Sequence, residues 1–317
     1  MNNYLGIDIG GTDIKAALID ELGHQLIFTK VPTNADGTVE TIIKKVAAIA
    51  ALIIEQSGAA PSSIKSAGVG IPGLIKNSKG PVVFAPSIGW SMIDAVPLLE
   101  KALQLPVILG NDALCAAMAE SKLGVGKKYK NIILLTLGTA VGGAVIFDGK
   151  PFSGFGPYGG ELGHIPLHHG GYPCSCGLKG CFEQYGSANA LVWQTLSLIK
   201  DNPETSLWHL WNNNRENFSS EIIIKAASQG DSLAIKALEQ FTTYVTEGIA
   251  GLVNIFRPDV VVLGGGLTNA GPILFEPINE KLPLFTYASE FTGTPPVLCT
   301  EVGSNAGAIG AALLSMN

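Results

Sequence analysis

Residues 173–186 read PCSCGLKGCFEQYG and crowd three of the chain's five cysteines into eight positions. A disulfide inside the CxC step is disfavoured, because such close neighbours seldom reach the Cβ separation and dihedral of an S–S bond. Three thiolates are one ligand short of a tetrahedral zinc site. The segment GGELGHIPLHHGG (159–171) offers candidates for the fourth: His164 stands ten residues before Cys174, and His168 and His169 compete with it. With His164, Cys174, Cys176 and Cys181 the set is Cys3His, four-coordinate and closed, as in structural zinc sites. Free thiols in a loop are the plainer alternative, but thiols so close together in a reducing compartment invite metal capture or oxidation. The expectation is one zinc ion pinning a long glycine-rich loop that has few apolar groups to hold it.

Two carboxylates flank these ligands: Glu161, three residues before His164, and Glu183, two after Cys181. A loop braced by metal would fix both. Carboxylates in a pocket lined by Gly and Asn suit sugar hydroxyls, since each accepts two or more hydrogen bonds. The plainer reading makes both solvated surface residues. A third carboxylate ends the triplet GND (110–112), where a strand gives way to a helix. α/β folds hold ligands at that position, although Asp112 would serve equally as an N-cap. Asn111 beside it makes an Asn–Asp pair suited to gripping and activating a hydroxyl.

Anion chemistry is suggested by three glycine corners. In Gly10-Gly11-Thr12 and Gly138-Thr139 no Cβ keeps an anion away, and turn N–H groups and threonine hydroxyls can donate to phosphate oxygens. Gly264-Gly265-Gly266, after a buried strand, offers a third such surface. Each could be only a tight turn; three at equivalent strand ends favour the phosphate reading. GxxxxGK[ST] does not occur, which disfavours the usual P-loop fold.

The elements that must position these residues show a repeat. YLGIDIGGTDIKAALIDELG (4–23) and NIILLTLGTAVGGAVIFDGK (131–150) share one strand–corner–strand rhythm, with Gly10-Gly11-Thr12 over Gly138-Thr139-Ala140 and Asp20 over Asp148. A glycine-cornered hairpin occurring twice predicts two related α/β halves facing each other. Residues 38–57 predict a helix that buries Val39, Ile42, Ile43, Val46, Ala50 and Ile53, capped by Thr38 and stopped by Gly58. Strands are expected at 64–73, broken by Pro72-Gly73, and at 105–112, 259–266 and 296–300. A helix should follow Asp112, a long one should cover 231–256 up to Arg257-Pro258, and a small-residue helix should close the chain. Residues 201–220 read as a loop. Alternation of this kind implies mixed or parallel sheets covered by helices.

At 317 residues the chain exceeds the size at which single cores stop growing, so two domains are expected. With 20 Lys and Arg against 26 Asp and Glu, the net charge is −6, and no basic stripe marks a nucleic-acid partner. No run of 18 apolar residues indicates a membrane span. Met1-Asn2-Asn3 leads straight into a strand pattern, and the odd cysteine count fits a reducing cytoplasm. Cys115 and Cys299, both in apolar runs, read as small core residues.

Taken together, DIGGT near the N-terminus, GND before an alanine-rich helix, LGTAVGGA, GGELGH and CSCGLKGCFE resemble the ROK family of sugar kinases and repressors. Order and spacing match from residue 4 to about 312. The ExGH and CxCGxxGCxE pair is highly specific, whereas DxGGT is shared with hexokinases. GCFEQYGSANAL and IGWSMIDAVPLL are nearest the bacterial glucokinases. The resemblance implies an α/β fold of two actin-like ATPase (ribonuclease H-like) domains with a ligand cleft between them. Residues 1–112 with a C-terminal helix at about 301–317 would form the smaller domain, and 113–300 the larger, zinc-bearing one.

The same resemblance implies ATP-dependent phosphorylation of a sugar 6-hydroxyl, glucose first, with N-acetylmannosamine, N-acetylglucosamine, fructose or allose as alternatives. Asp112 would be the general base and Asn111 a sugar ligand; Glu161 and Glu183 would hold hydroxyls across the ring, and Gly73 would line the pocket. His164 would bind zinc through one nitrogen and face the sugar with the other. Gly10, Gly11, Thr12, Gly138 and Thr139 would hold the ATP phosphates, Asp8 would organise Mg2+ through water, and Gly264, Gly265 and Gly266 would lie by the nucleoside. A homodimer is expected from the family alone. Two departures stand out: Ala140 replaces the glycine usual in LGTG, and Asp13 adds negative charge where Lys or Asn is common. A repressor would need a winged helix ahead of the hairpin, and polyphosphate as donor would need a basic groove; neither is legible in the chain.

Overall fold

A computed structural model describes residues 2–33, 38–155, 158–200, 202, 205–211 and 218–316. Strands β1 (Asn3–Ile9) and β2 (Asp13–Asp20) pair antiparallel from Ile9↔Ile14 to Asn3↔Asp20, with Gly10-Gly11-Thr12 as their corner. Strand β3 (Gln25–Pro32) completes the meander and helix α1 (Val39–Ser57) follows. Thr38 caps α1 by accepting the Thr41 N–H, and Gly58 ends it in the left-handed conformation, both as expected. Its buried face is Ile42, Val46, Ile49, Ala50 and Ile53. Strand β4 (Ile64–Ile71) runs parallel to β1 and stops before Pro72-Gly73. Three short strands, β5 (Leu74–Ile75), β6 (Val82–Ala85) and β7 (Trp90–Ile93), form a small separate sheet. Helix α2 (Ala95–Leu103) leads to strand β8 (Val107–Asn111), parallel to β4, and helix α3 (Asp112–Lys122) starts directly from its end.

The second hairpin, β9 (Ile132–Leu137) and β10 (Val141–Phe147), again turns through three residues, Gly138-Thr139-Ala140. Strand β11 (Lys150–Pro151) follows it. After the cysteine loop come helices α4 (Glu183–Gly186), α5 (Ala188–Ile199), α6 (Ser206–Trp211), α7 (Ser220–Ser228) and the long α8 (Ser232–Phe256). Arg257 in the left-handed conformation and Pro258 end α8, as the sequence predicts. Strand β12 (Val260–Gly264), helices α9 (Pro272–Phe285) and α10 (Ser289–Thr292), strand β13 (Val297–Cys299) and helix α11 (Ala306–Leu314) complete the chain.

The two large sheets have strand orders β3-β2-β1-β4-β8 and β11-β10-β9-β12-β13. Position for position they match: a meander of three, then two strands from β/α units. The duplicated hairpin was therefore the visible part of a duplicated sheet. Contacts group residues 1–132, 144–160 and 300–317 into one unit and 133–143 and 161–299 into another. In the first unit, α1 and α2 cover a core that includes Leu5, Ile7, Val69 and Leu109.

Three expectations need correction. Within 201–220, Ser206–Trp211 is helical, while 201, 203–204 and 212–217 lie outside the described residues. Cys115 is buried as expected, but Cys299 is exposed at the end of the outermost strand β13. The N-cap of α3 is Asn111, whose Oδ1 accepts the Leu114 N–H at 3.1 Å; Asp112 is the first helical residue.

Candidate active site

In the first unit the side chains expected to do chemistry gather at strand ends. Asp8, the penultimate residue of β1, is paired in register with Lys15 on β2 and Gly70 on β4. Its carboxylate is mostly buried, 3.9 Å from Lys15 Nζ, which also donates to the Ser304 carbonyl at 3.1 Å. Burial lifts the Asp8 carboxyl above its ordinary range, and the Lys15 charge pulls it partly back. A Cβ at Gly307, in the first turn of α11, would lie 2.5 Å from Asp8 Oδ2. A recessed carboxylate with a lysine beside it and glycine above it is a fitting donor for a hydrated divalent cation.

The neighbouring corner is held by a residue that sequence patterns did not flag. Thr33, fully buried after β3, donates Oγ1 to the Gly10 carbonyl at 2.6 Å and its N–H to the Thr12 carbonyl at 2.7 Å. Gly10 N–H in turn donates to Asp13 O at 2.9 Å, leaving Gly11 and Thr12 exposed at the tip. The extra charge at Asp13 meets Lys30 Nζ at 3.4 Å across the β2–β3 pair.

Asn111 and Gly73 are joined directly. Asn111 Nδ2 donates to the Gly73 carbonyl at 3.1 Å, while its Oδ1 caps α3. Gly73 has φ +150°, and a Cβ there would overlap the Phe84 carbonyl, so only glycine lets the β4–β5 turn lie against β6. Asp112, half-buried, accepts the Ala113 N–H at 2.8 Å through Oδ1. It thus sits in the first turn of α3.

In the second unit two glycine corners stand side by side. Gly265 has φ +90°, and a Cβ on it would overlap the Leu137 carbonyl, so the turn after β12 closes onto the end of β9. The 138–140 corner is fixed from behind: Ala188 N–H donates to Gly138 O at 2.7 Å and Asn189 Nδ2 to Thr139 O at 3.0 Å. Thr139 and Ala140 are left exposed. Glycines also join this hairpin to the ExGH segment. A Cβ at Gly163 would overlap the Val141 carbonyl, and one at Gly143 would lie 2.6 Å from the Leu162 side chain.

The two glutamates differ. Glu161 is exposed at the head of a short 3-10 turn, Leu162–His164. Glu183 is buried: Oε2 accepts the Val141 N–H at 3.2 Å, and Oε1 lies 3.6 Å from Cys174 Sγ. Of the two, only Glu161 is open to solvent.

Among the histidines, the structure brings His164 to the cysteines. The ligand atoms of His164, Cys174, Cys176 and Cys181 all lie within 4.8 Å of one another, with Cys174 Sγ 3.7 Å from His164 Nδ1 and Cys176 Sγ 3.6 Å from Cys181 Sγ. A tetrahedron with zinc–sulfur bonds of about 2.3 Å has edges of about 3.8 Å, so these donors fit a zinc ion. His168 is instead packed edge-on between Tyr185 and Tyr244, and His169 is exposed. Backbone bonds shape the loop. Cys174 N–H donates to Leu178 O at 2.8 Å, Phe182 N–H to Ile165 O at 2.9 Å, and Gly177 turns with φ +90°. Crowding is evident in the thiols, since burial, with Cys176 and Cys174 close by, pushes Cys181 up to about 12. A bound cation reverses that balance by favouring thiolates.

Family comparison agrees with this geometry. The model of the ROK family matches residues 4–317. The chain belongs to the ROK family. The glucokinase of Streptomyces coelicolor is 33% identical over 317 residues, covering 99% of this chain and 98% of its own. A Shewanella N-acetylgalactosamine kinase is 30% identical, with 98% and 96% covered. Among solved structures, a ROK family glucokinase from Streptomyces griseus in complex with glucose and AMPPNP superposes with a TM-score of 0.86, at 32% identity and 99% coverage of both chains. This ROK chain has the two-domain actin-like ATPase fold of those relatives, and its doubled sheet order is what that fold requires. Among its described residues, no helix is long and apolar enough to cross a membrane.

Proposed function

We propose that this chain, an ATP-dependent sugar kinase of the ROK family, is a glucokinase that transfers the γ-phosphoryl group of ATP to the 6-hydroxyl of glucose. The observation that carries the reading is the Asn111–Asp112 pair at the start of α3, tied to Gly73. It is supported by similarity to glucokinases along nearly the whole chain.

Phosphoryl transfer asks a protein for position and charge neutralisation more than for covalent help. Asp112 takes the proton from the sugar O6–H as O6 bonds to the γ-phosphorus, while the bond to the bridging oxygen breaks and ADP leaves. Asn111 holds the sugar beside it. Glu161, Glu183 and the second nitrogen of His164 engage the remaining hydroxyls. Gly10, Gly11 and Thr12, with Gly138 and Thr139, present N–H and hydroxyl donors to the phosphates, and Gly264 to Gly266 lie by the nucleoside. Asp8 would hold Mg2+ through water, and that ion would supply charge neutralisation for the transfer. His164, Cys174, Cys176 and Cys181 would hold zinc, which would brace the loop, and a reducing cytoplasm would keep those thiols ready for it.

An ADP-release assay across glucose, fructose, mannose, allose, N-acetylglucosamine, N-acetylmannosamine and N-acetylgalactosamine tests the reading. Glucose should show the highest kcat/KM. The relative that acts on N-acetylgalactosamine makes the competing outcome specific: a higher value for an N-acetyl sugar would replace glucose as the substrate.

A further inference from the structure

Helices α3 and α11 meet through small residues. Ala116 and Ala119 pack with Ala306, Ala308 and Ala312, and a Cβ at Gly310 would overlap the carbonyl of Cys115. Backbones this close are well packed, but small side chains make shallow ridges and resist sliding of one helix along the other only weakly. Each helix begins at or beside a reacting carboxylate. Asp112 begins α3, and the start of α11 brings Gly307 over Asp8 and the Ser304 carbonyl to Lys15. A slip along that interface would move one carboxylate's surroundings relative to the other's.

One buried group opposes the slip. Glu120, two turns along α3 from Asp112, is wholly inaccessible to solvent. Its Oε1 accepts the Val302 N–H at 2.8 Å, and its Oε2 accepts the Glu301 and Val125 N–H groups, each at 3.2 Å. Residues 301–305 lead straight into α11, so the carboxylate holds the root of that helix. A Cβ at Gly124 would overlap Glu120 Oε2; glycine there leaves the carboxylate room. Burial raises the Glu120 carboxyl above its ordinary range, and the three amides draw it back toward ionisation. A buried charge answered by three backbone donors is costly to disturb and geometrically exacting. Propensity or packing alone would be served by an apolar residue at this place.

We infer that Glu120 is a positioning residue for phosphoryl transfer, locking α11 against α3 so that the surroundings of Asp8, Gly307 above it and the Ser304 carbonyl that holds Lys15, keep their place relative to Asp112. The inference rests on the roles given to Asp8 and Asp112 above. A misplacement of about 1 Å at a reacting group costs about 100-fold in rate.

The test compares Glu120→Gln, Glu120→Ala and Val302→Pro with Ile53→Ala, a core truncation in α1. Val302 has φ −68°, which proline accepts, so that variant removes the strongest donor and leaves Glu120 in place. Each protein is assayed for kcat and ATP KM, for glucose Kd by calorimetry, and for Tm. Glu120→Gln and Val302→Pro should lose about 10- to 100-fold in kcat with glucose Kd within about twofold. Ile53→Ala, at equal or greater loss of Tm, should keep kcat within about twofold. Glu120→Ala should lose at least as much as Glu120→Gln; if it does not fold, the other two variants decide. Parental kcat in both of them, or a kcat loss in Ile53→Ala that tracks its Tm, overturns the inference. Asp112→Asn separates this from the functional reading. Parental rate there removes the base assignment, whereas a slow Asp112→Asn beside a parental Glu120→Gln removes only the role of Glu120.

Discussion

Asn111 Nδ2 donates to the carbonyl of Gly73 at 3.1 Å, so the residue that caps α3 also anchors the turn at the end of β4. One side chain therefore sets both the start of the helix bearing Asp112 and the glycine turn expected to line the sugar pocket. The two jobs can be separated. Asn111→Ser keeps an N-cap acceptor but lacks the reach to Gly73; it should cost well under about 1 kcal/mol in urea unfolding yet raise sugar KM. Asn111→Ala should lose about 1 kcal/mol or more in addition. Equal sugar KM in Asn111→Ser and the parent would show that the Gly73 link does not serve binding.

Asp112→Asn preserves shape and removes the proposed base. The expected result is a kcat lower by about 10²–10⁴ with sugar Kd nearly unchanged, read by ADP release and calorimetry. Undiminished turnover would refute the assignment of Asp112.

Cys176→Ser should abolish metal retention, lower Tm and raise sugar KM together, because Glu161, His164 and Glu183 all belong to the braced region. Elemental analysis should find one zinc per parental chain and none in the variant. A metal-free variant with parental Tm and KM would mean that the loop stands without the ion.

Acid sensitivity is expected at Asp231, the N-cap of α8. Burial acts to raise its carboxyl, but the Ser206 hydroxyl, the Ala234 amide and the Thr205 hydroxyl outweigh it and hold it at about 2. With a folded value below the unfolded one of about 3.9, its contribution is full above that pH and fades as pH falls toward 2. The stability gap between the parent and Asp231→Ala should therefore be constant from pH 7 to about 5 and close below about 4. A gap unchanged at pH 3 would mean that the carboxylate charge is not what the cap uses.

Much of this was legible in the linear chain because it depends on near neighbours. The three-residue corners at 10–12 and 138–140, the Thr38 and Gly58 caps, and the stop at Arg257-Pro258 follow from local sterics and short-range hydrogen bonds. The loop within 201–220 was misread because its Asn and Ser content masked the short helix Ser206–Trp211, whose entry Asp231 organises from 25 residues away. Cys299 was misplaced because an apolar run does not reveal that its strand is the outermost of its sheet.

The amino-acid order by itself determined the donor chemistry: three thiols beside histidines, an Asn–Asp pair at a strand end, and the exposed glycine corners. Only the folded chain chose His164 over His168 and His169, made Asn111 rather than Asp112 the cap, and buried Glu183 while exposing Glu161. Thr33 and Glu120 emerged only there too, since their work is to meet backbone amides and carbonyls far away in sequence. The physical reason is that side-chain type fixes what a residue can bond, whereas the partner it finds depends on which distant segments the packing brings within about 3 Å.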